Sequence, residues 1–119
     1  MTKLLLVDDD AELCAELAET FRYEGYQVDS TSDSAEGAAL IQKNKYELAV
    51  FDYKMKGLNG IDLLKLVKGI NPGCAVFLVT GRAGIEALVD EEKVSGLVAG
   101  IVSKPFDVDA LLQKLKAAL

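Results

Sequence analysis

Five polar side chains each stand at the end of a short apolar run. Asp8 and Asp9 follow "KLLLV", Asp52 follows "ELAVF", Thr80 ends "AVFLVT", and Lys104 is the second residue after "LVAGIV". A carboxylate at the end of an apolar run is costly to bury without a partner, because burial disfavours its charged form. These residues therefore indicate a functional site if the runs are strands of one sheet.

Three convergent carboxylates repel one another, and a divalent cation relieves that repulsion. Oxygen ligands suit Mg²⁺, whereas no histidine exists in the chain to favour zinc or to act as a general base. A cation, the ammonium of Lys104 and the hydroxyl of Thr80 together suit a phosphoryl group. Asp52 is the best placed nucleophile, since aspartate forms acyl phosphates. The pattern therefore predicts phosphoryl chemistry with Mg²⁺.

The apolar runs alternate with segments of helical periodicity. We expect strands at 3–7, 26–31, 47–51, 75–79 and 97–102, and helices at 33–45, 60–70, 83–94 and 108–119. A further helix precedes these helices, with an apolar face from Leu13 to Phe21 and an end at Gly25. Alternating elements of this kind predict one α/β domain over residues 1–119, a doubly wound parallel sheet with helices on both faces. In such sheets the binding crevice lies beyond the carboxyl ends of the strands, where all five candidate residues would stand.

Capping residues and apolar stripes mark the helices. Asp9 with Glu12, Asp33, Asn59 and Asp107 are the expected N-terminal caps. Apolar stripes are expected to reach Ile70 in the third helix and Leu119 in the fifth. Cys14 and Cys74, the two cysteines, are expected to be buried, reduced thiols.

Bulk properties exclude several classes of protein. The 119 residues carry a formal net charge of −6, which disfavours non-specific nucleic-acid binding. No apolar run approaches the ~20 residues of a membrane span, and the first residues do not resemble a secretion signal. We therefore expect a cytoplasmic protein without membrane or direct nucleic-acid contacts.

Four motifs carry a resemblance that spans the chain: "LLLVDDD", "FDYKMKGLNG", "LVTG" and "VSKPF". In this order and spacing the sequence resembles a response-regulator receiver domain of two-component signalling, similar to the chemotaxis regulators. The resemblance implies a flavodoxin-like fold with strand order 2-1-3-4-5. It implies that Asp52 accepts phosphate, in the presence of Mg²⁺, from a histidine kinase or phosphotransfer protein. Phosphorylation would then change the face formed by the fourth helix, fifth strand and fifth helix.

The resemblance also assigns roles by position. Asp8 and Asp9 correspond to the metal-binding acidic pair, and the backbone carbonyl of Lys54 to a further Mg²⁺ ligand. Thr80 corresponds to the hydroxyl that moves towards the phosphoryl group. Lys104 corresponds to the lysine that pairs with it, usually followed by a cis bond to proline, here Pro105.

Three features depart from the family pattern. Lys56 stands where proline is usual, which adds a charge and loosens the turn after Asp52. Ile101 stands where an aromatic ring usually rotates as the hydroxyl residue moves, so readout through the fifth strand is open. The stretch between Thr80 and Lys104 is slightly long and contains four glycines, which predicts an irregular fourth helix.

Alternatives remain at this point. A pseudo-receiver would bind proteins without using phosphate. A Mg²⁺-dependent phosphohydrolase would also form an aspartyl phosphate, but usually carries a second aspartate where this chain has Lys54. A flavin-binding module would need a phosphate-cradling loop where this chain has three aspartates. The sequence leaves open the output domain, the kinase, homodimer formation, and whether the receiver stands alone.

Overall fold

A computed structural model describes residues 1–81 and 84–119 of the chain. Five parallel strands form one sheet in the order β2-β1-β3-β4-β5, which confirms the predicted topology. The strands are β1 (Lys3–Val7), β2 (Gln27–Thr31), β3 (Leu48–Asp52), β4 (Ala75–Thr80) and β5 (Val98–Ser103). Strand order reverses between β1 and β3, so the crevice expected for a doubly wound sheet opens beside the carboxyl end of these two strands.

The helices lie between the strands along the chain. They are α1 (Ala11–Tyr23), α2 (Ser34–Lys43), α3 (Gly60–Ile70), α4 (Ile85–Glu91) and α5 (Val108–Ala117), and a 3₁₀ turn (Ser95–Leu97) precedes β5. No helix within the described ranges combines the length and the apolar character that crossing a membrane requires.

The fourth helix is shorter than the predicted 83–94, of which position 83 lies outside the described residues. Gly84 precedes α4 in the left-handed conformation (φ +83°) and provides no side-chain cap. Lys93, just past its end, also has a positive φ of 59°. A helix of seven residues without a cap receives little stabilisation from its own backbone.

Caps match the expectation in three helices and differ in one. Asp33, Asn59 and Asp107 cap α2, α3 and α5 as predicted, and Asn59 forms a reciprocal capping box with Asp62. The predicted cap of α1 was wrong, because Asp10 rather than Asp9 accepts the hydrogen bond from the Leu13 N–H, at 3.1 Å. The helix therefore starts one residue later, which leaves Asp9 exposed beside the carboxyl end of β1.

Each face of the sheet buries its own apolar layer. Alternate residues of β1 point to opposite sides, so Leu4 and Leu6 pack with α1 and α5, while Leu5 and Val7 pack with α2, α3 and α4. All five residues of β3 are buried, Asp52 among them. Two buried layers fix the central strands, and with them the positions of the side chains at the strand ends.

Two residues of the predicted apolar stripes lie outside the core. Ile70 is 52% exposed and Leu119 is 63% exposed, because α3 ends at the first and α5 ends before the second. Cys14 and Cys74 are buried and free, as predicted. Burial raises the pKa of both thiols, that of Cys74 to about 11, so both stay protonated at neutral pH.

Candidate functional site

The sheet brings the predicted side chains to one edge. Asp52 and Thr80 are the last residues of neighbouring strands, and Asp8 and Lys104 come directly after β1 and β5. The exposed fractions of Asp8 and Asp52 are 2% and 7%, which is unusually low for aspartate. Thr80 is 2% exposed. Asp9 is exposed at the rim. The predicted convergence of these residues is therefore present.

Lys104 pairs with both buried carboxylates. Its Nζ donates to Asp8 Oδ2 at 3.2 Å and lies 3.4 Å from Asp52 Oδ2. One ammonium thus serves two carboxylates that are almost entirely removed from water. The backbone supports this placement, because the Lys104 N–H donates to the Thr80 carbonyl at 2.7 Å, and the Lys104–Pro105 peptide is cis, as the resemblance implied.

The three aspartates form a group that fits a hard cation. One carboxylate oxygen from each of Asp8, Asp9 and Asp52 lies within 4.8 Å of the others. Oxygen-only donors at this spacing suit Mg²⁺ or Ca²⁺ rather than a softer metal. Asp8 is oriented by the chain itself, since its Oδ1 accepts from the Asp10 N–H at 3.0 Å.

A cavity of about 510 Å³ opens over Asp52. Its walls also include Lys54, Thr80, Gly81 and Lys104. The cavity is therefore bounded by a carboxylate, a hydroxyl and an ammonium, and it is wide enough for a phosphoryl group. Lys54, whose backbone carbonyl remains a predicted Mg²⁺ ligand, lies on the wall of the same cavity.

The ionisable groups of the site shift one another's pKa values. Burial, and then the nearby charge of Asp8, raise the pKa of Asp52 from 3.8 to about 7, although Lys104 opposes this. Burial alone would lower the pKa of Lys104, but Asp52 and Asp8 outweigh it, so that this pKa is raised. Lys104 therefore stays charged, whereas Asp52 holds its proton more tightly than an exposed aspartate.

The loop between β3 and α3 is held close to Asp52 by a glycine and a serine. A Cβ on Gly60 would lie 2.7 Å from the Asp52 carbonyl oxygen, so only glycine permits α3 to start there. Ser34, on α2, hydrogen-bonds to the backbone of Lys56 and Leu58. The sequence analysis did not identify Ser34, because a serine in the first turn of a helix normally indicates no more than a helix start.

The two single-residue departures from the family pattern, Lys56 and Ile101, lie in different parts of the fold, the loop after β3 and the strand β5. Lys56 is exposed, and its carbonyl accepts the hydrogen bond from Ser34 at 2.8 Å. Ile101 is partly buried and packs against the apolar layer that contains residues of α3 and α4. An aliphatic side chain thus fills the place where the family pattern has an aromatic ring.

Comparison with known proteins identifies a family whose members resemble this chain in sequence. The family model described as the response regulator receiver domain matches residues 4–116. "Probable transcriptional regulatory protein TcrX" of Mycobacterium tuberculosis is 29% identical over 119 residues, which cover 98% of this chain and 49% of that protein. The chain therefore spans about half the length of this relative.

Solved structures share the fold over the full sheet. A CheY-like response regulator receiver domain protein from Methanospirillum hungatei has a TM-score of 0.89 and 30% identity, with 98% of this chain and 92% of that one covered. The response regulator TrrA of Thermotoga maritima, solved in complex with Mg²⁺-BeF, has a TM-score of 0.85 and 24% identity with complete coverage of both chains. At that identity the second likeness shows the fold alone.

Proposed function

Because the chain belongs to the response regulator receiver domain family, we propose that it is a phospho-accepting switch of a two-component phosphorelay. Asp52 takes a phosphoryl group from a partner histidine kinase or phosphotransfer protein, with Mg²⁺ bound by Asp8, Asp9, Asp52 and the Lys54 carbonyl. Thr80 and Lys104 contact the phosphoryl group. Phosphorylation changes the face formed by α4, β5 and α5. We place this switch in the cytoplasm, where it would contact neither nucleic acid nor membrane directly.

The single observation that carries this proposal is the group of carboxylates around Lys104. Two nearly water-free aspartates share one ammonium at 3.2 and 3.4 Å, and an exposed third aspartate completes a cation-binding set. Placing such charges at a strand end costs stability unless ligands offset it. A divalent cation provides that compensation, and a phosphoryl group is then held by the cation, the ammonium of Lys104 and the hydroxyl of Thr80.

The chain's own residues fit the transfer step. Asp52 attacks the phosphorus with a carboxylate oxygen as the bond from phosphorus to the donor nitrogen breaks, and the electron pair of that bond stays on the donor imidazole. Lys104 approaches the phosphoryl oxygens with its positive charge, and the Thr80 hydroxyl donates to them. Bound Mg²⁺ would offset the negative charge that develops on those oxygens. The reaction therefore depends on positioning and electrostatics.

These 119 residues contain no histidine, so a phosphohistidine donor must lie outside this domain. An apolar groove of about 420 Å³ lies directly beside Lys104, lined by Leu13, Pro105, Phe106 and Val108. An apolar groove next to a charged site suits the docking of a helical donor protein that presents its phosphohistidine over Asp52.

TcrX is named as a probable transcriptional regulatory protein and is about twice as long, which favours a fused output domain or a separate downstream protein as the recipient of the signal. We also propose the switch face as the contact surface of a homodimer.

The direct test is phosphorylation by a small donor. Incubation with acetyl phosphate and Mg²⁺ should add one phosphoryl group per chain by intact-mass analysis, and EDTA should prevent it. Asp52→Ala should remove the adduct, while Asp109→Ala, an exposed aspartate on α5, should leave it unchanged. No adduct on the wild type, or the same adduct on Asp52→Ala, would reject the proposal.

The same experiment separates the alternatives. Receiver domains are regulatory modules, so each molecule should accept one phosphoryl group and lose it slowly. Release of many phosphates per protein from a phosphomonoester would indicate a phosphohydrolase instead. A protein that binds neither Mg²⁺ nor phosphate would be a pseudo-receiver.

A further inference from the structure

One buried hydroxyl holds the loop that follows Asp52. Ser34 is the first residue of α2 and is 4% exposed. Its Oγ donates to the Lys56 carbonyl at 2.8 Å and accepts from the Leu58 N–H at 3.1 Å. A serine hydroxyl has one proton to donate and lone pairs that accept. The loop uses both capacities of this hydroxyl. Ser34 thus binds the loop at two backbone groups, in residues that are two positions apart.

The serine is itself held in place. Asp33 caps α2, and its own N–H donates to Thr31 Oγ1 at 3.1 Å. Gly37 brings α2 so close to the sheet that a Cβ there would lie 2.9 Å from a methyl group of Val7, the last residue of β1. The start of α2 is therefore fixed relative to the strand end that precedes Asp8, and Ser34 can act as an anchor.

The loop is shaped around this hydroxyl. Gly57 lies between the two backbone groups that Ser34 contacts, with a φ of +78° that a side chain would disfavour. A Cβ on Gly57 would lie 3.0 Å from Ser34 Oγ. Lys56 has no ring to restrict its backbone, so the restraint on this turn comes from the hydrogen bonds to Ser34.

We propose that Ser34 is a positioning residue of the cation and phosphoryl site. It holds residues 56–58, and through them Lys54, on the wall of the cavity over Asp52. The inference depends on the proposed function, because it concerns the same site. Ser34 acts through the loop, as groups that orient metal ligands do, and such groups affect affinity without touching the ion.

The test is Mg²⁺ affinity measured by titration calorimetry on the whole chain. Ser34→Ala should weaken Mg²⁺ binding about 10-fold. The matched control is Tyr46→Phe, which also removes a hydrogen bond of a buried hydroxyl, to Asp29 Oδ2 at 2.7 Å, but just before the start of β3 rather than at its carboxyl end. Tyr46→Phe should keep the wild-type affinity. An unchanged affinity in Ser34→Ala, or an equal loss in both variants, would overturn the inference.

A second pair of variants tests the loop from its other side. Gly57→Ala and Gly25→Ala both place a side chain at a positive φ, but only the first meets Ser34, since nothing lies within 4 Å of a Cβ on Gly25. Gly57→Ala should therefore weaken Mg²⁺ binding and Gly25→Ala should not. Equal affinities for these two variants would also contradict the proposal.

Hydrogen exchange provides a readout without any metal. In EDTA the Leu58 amide should exchange slowly in the wild type and at least several-fold faster in Ser34→Ala. Equal rates would show that the hydroxyl does not hold the loop. Wild-type protein that binds no Mg²⁺ would overturn the proposed function and this inference together, whereas wild-type binding with an unaffected Ser34→Ala would overturn this inference alone.

Discussion

Replacing Asp52 by asparagine should stabilise the metal-free protein at high pH. The pKa of Asp52 is raised from 3.8 to about 7, mainly by burial and by Asp8. Above pH ~4 the unfolded chain releases this proton while the folded chain retains it, so stability falls as pH rises through the window from about 4 to 7. A shift of that size corresponds to at most about 4 kcal/mol at 1.36 kcal/mol per pKa unit. Asparagine removes this cost because it does not ionise.

That limit already includes the opposing charge of Lys104. The expected gain is smaller than the limit, because an asparagine amide does not reproduce every hydrogen bond of the protonated carboxyl group. We expect Asp52→Asn to raise the free energy of unfolding by about 2 kcal/mol at pH 8 in EDTA, measured by urea denaturation. At pH 5 the two proteins should differ much less. Mg²⁺ should stabilise the wild type at pH 8 and should stabilise Asp52→Asn considerably less.

An exposed aspartate provides the control. Asp109→Asn on α5 should change stability by less than about 0.5 kcal/mol at either pH. The reasoning fails if Asp52→Asn is less stable than the wild type at pH 8 in EDTA, or if its effect is the same at pH 5 and pH 8. Either result would mean that Asp52 carries no net cost of ionisation in the folded protein.

Three further substitutions test separate features. Gly60→Ala should lower the free energy of unfolding by about 1–3 kcal/mol, because its Cβ would lie 2.7 Å from a backbone oxygen. As a control on the same helix, Gly69→Ala meets nothing within 4 Å and should raise the free energy of unfolding by about 0.5 kcal/mol. Urea denaturation measures both changes. Lys104→Met should destabilise the metal-free protein by about 3 kcal/mol at pH 8, since both buried carboxylates lose their shared ammonium, and added Mg²⁺ should recover part of this loss in thermal unfolding. Lys65→Ala breaks a half-exposed ion pair with Glu92 at 3.0 Å and should change stability by less than about 1 kcal/mol, so a larger change in its thermal midpoint would show that this contact holds α4.

The parallel sheet and the placement of the site followed from the apolar runs, whereas the strand order came from the resemblance to receiver domains. Runs such as "LAVF" before Asp52 are buried on both sides, which only a covered parallel sheet allows, and parallel strands bring their carboxyl ends to one edge. Asp8, Asp52, Thr80 and Lys104 could therefore be grouped from sequence alone. What the sequence could not give was distance: that Lys104 reaches both carboxylates is a property of the folded edge.

One error arose where neighbouring residues were chemically equivalent. Asp8, Asp9 and Asp10 are identical in type, so only the backbone at the end of β1 decides that Asp10 caps α1 and that Asp9 remains at the rim.

Ile70 was predicted wrongly for another reason. It continues the apolar spacing of α3 but stands at the last turn of the helix, beyond the layer that would cover it. Periodicity predicts a face, and tertiary packing decides how far along the helix that face is buried.

Ser34 could not be found for a different reason. Its partners are backbone groups of a loop 22 and 24 residues away, and backbone groups leave no mark in a sequence. The one related signal was Lys56 in place of proline, which predicted a loosened turn after Asp52. The structure places the restraint on this turn in a helix that the motifs did not include.

Charge balance also sets an order of events at this site. Three aspartates against one lysine leave the pocket with an excess of two negative charges when all are ionised. Burial, and then the charge of Asp8, raise the pKa of Asp52 and favour its protonated form. A phosphoryl group entering first would add to that excess, whereas a divalent cation entering first cancels it and restores Asp52 as an ionised nucleophile. Under the proposed function, the cation must therefore bind before the phosphoryl donor acts. Lys104 alone, already shared between two carboxylates, has too little charge to replace it.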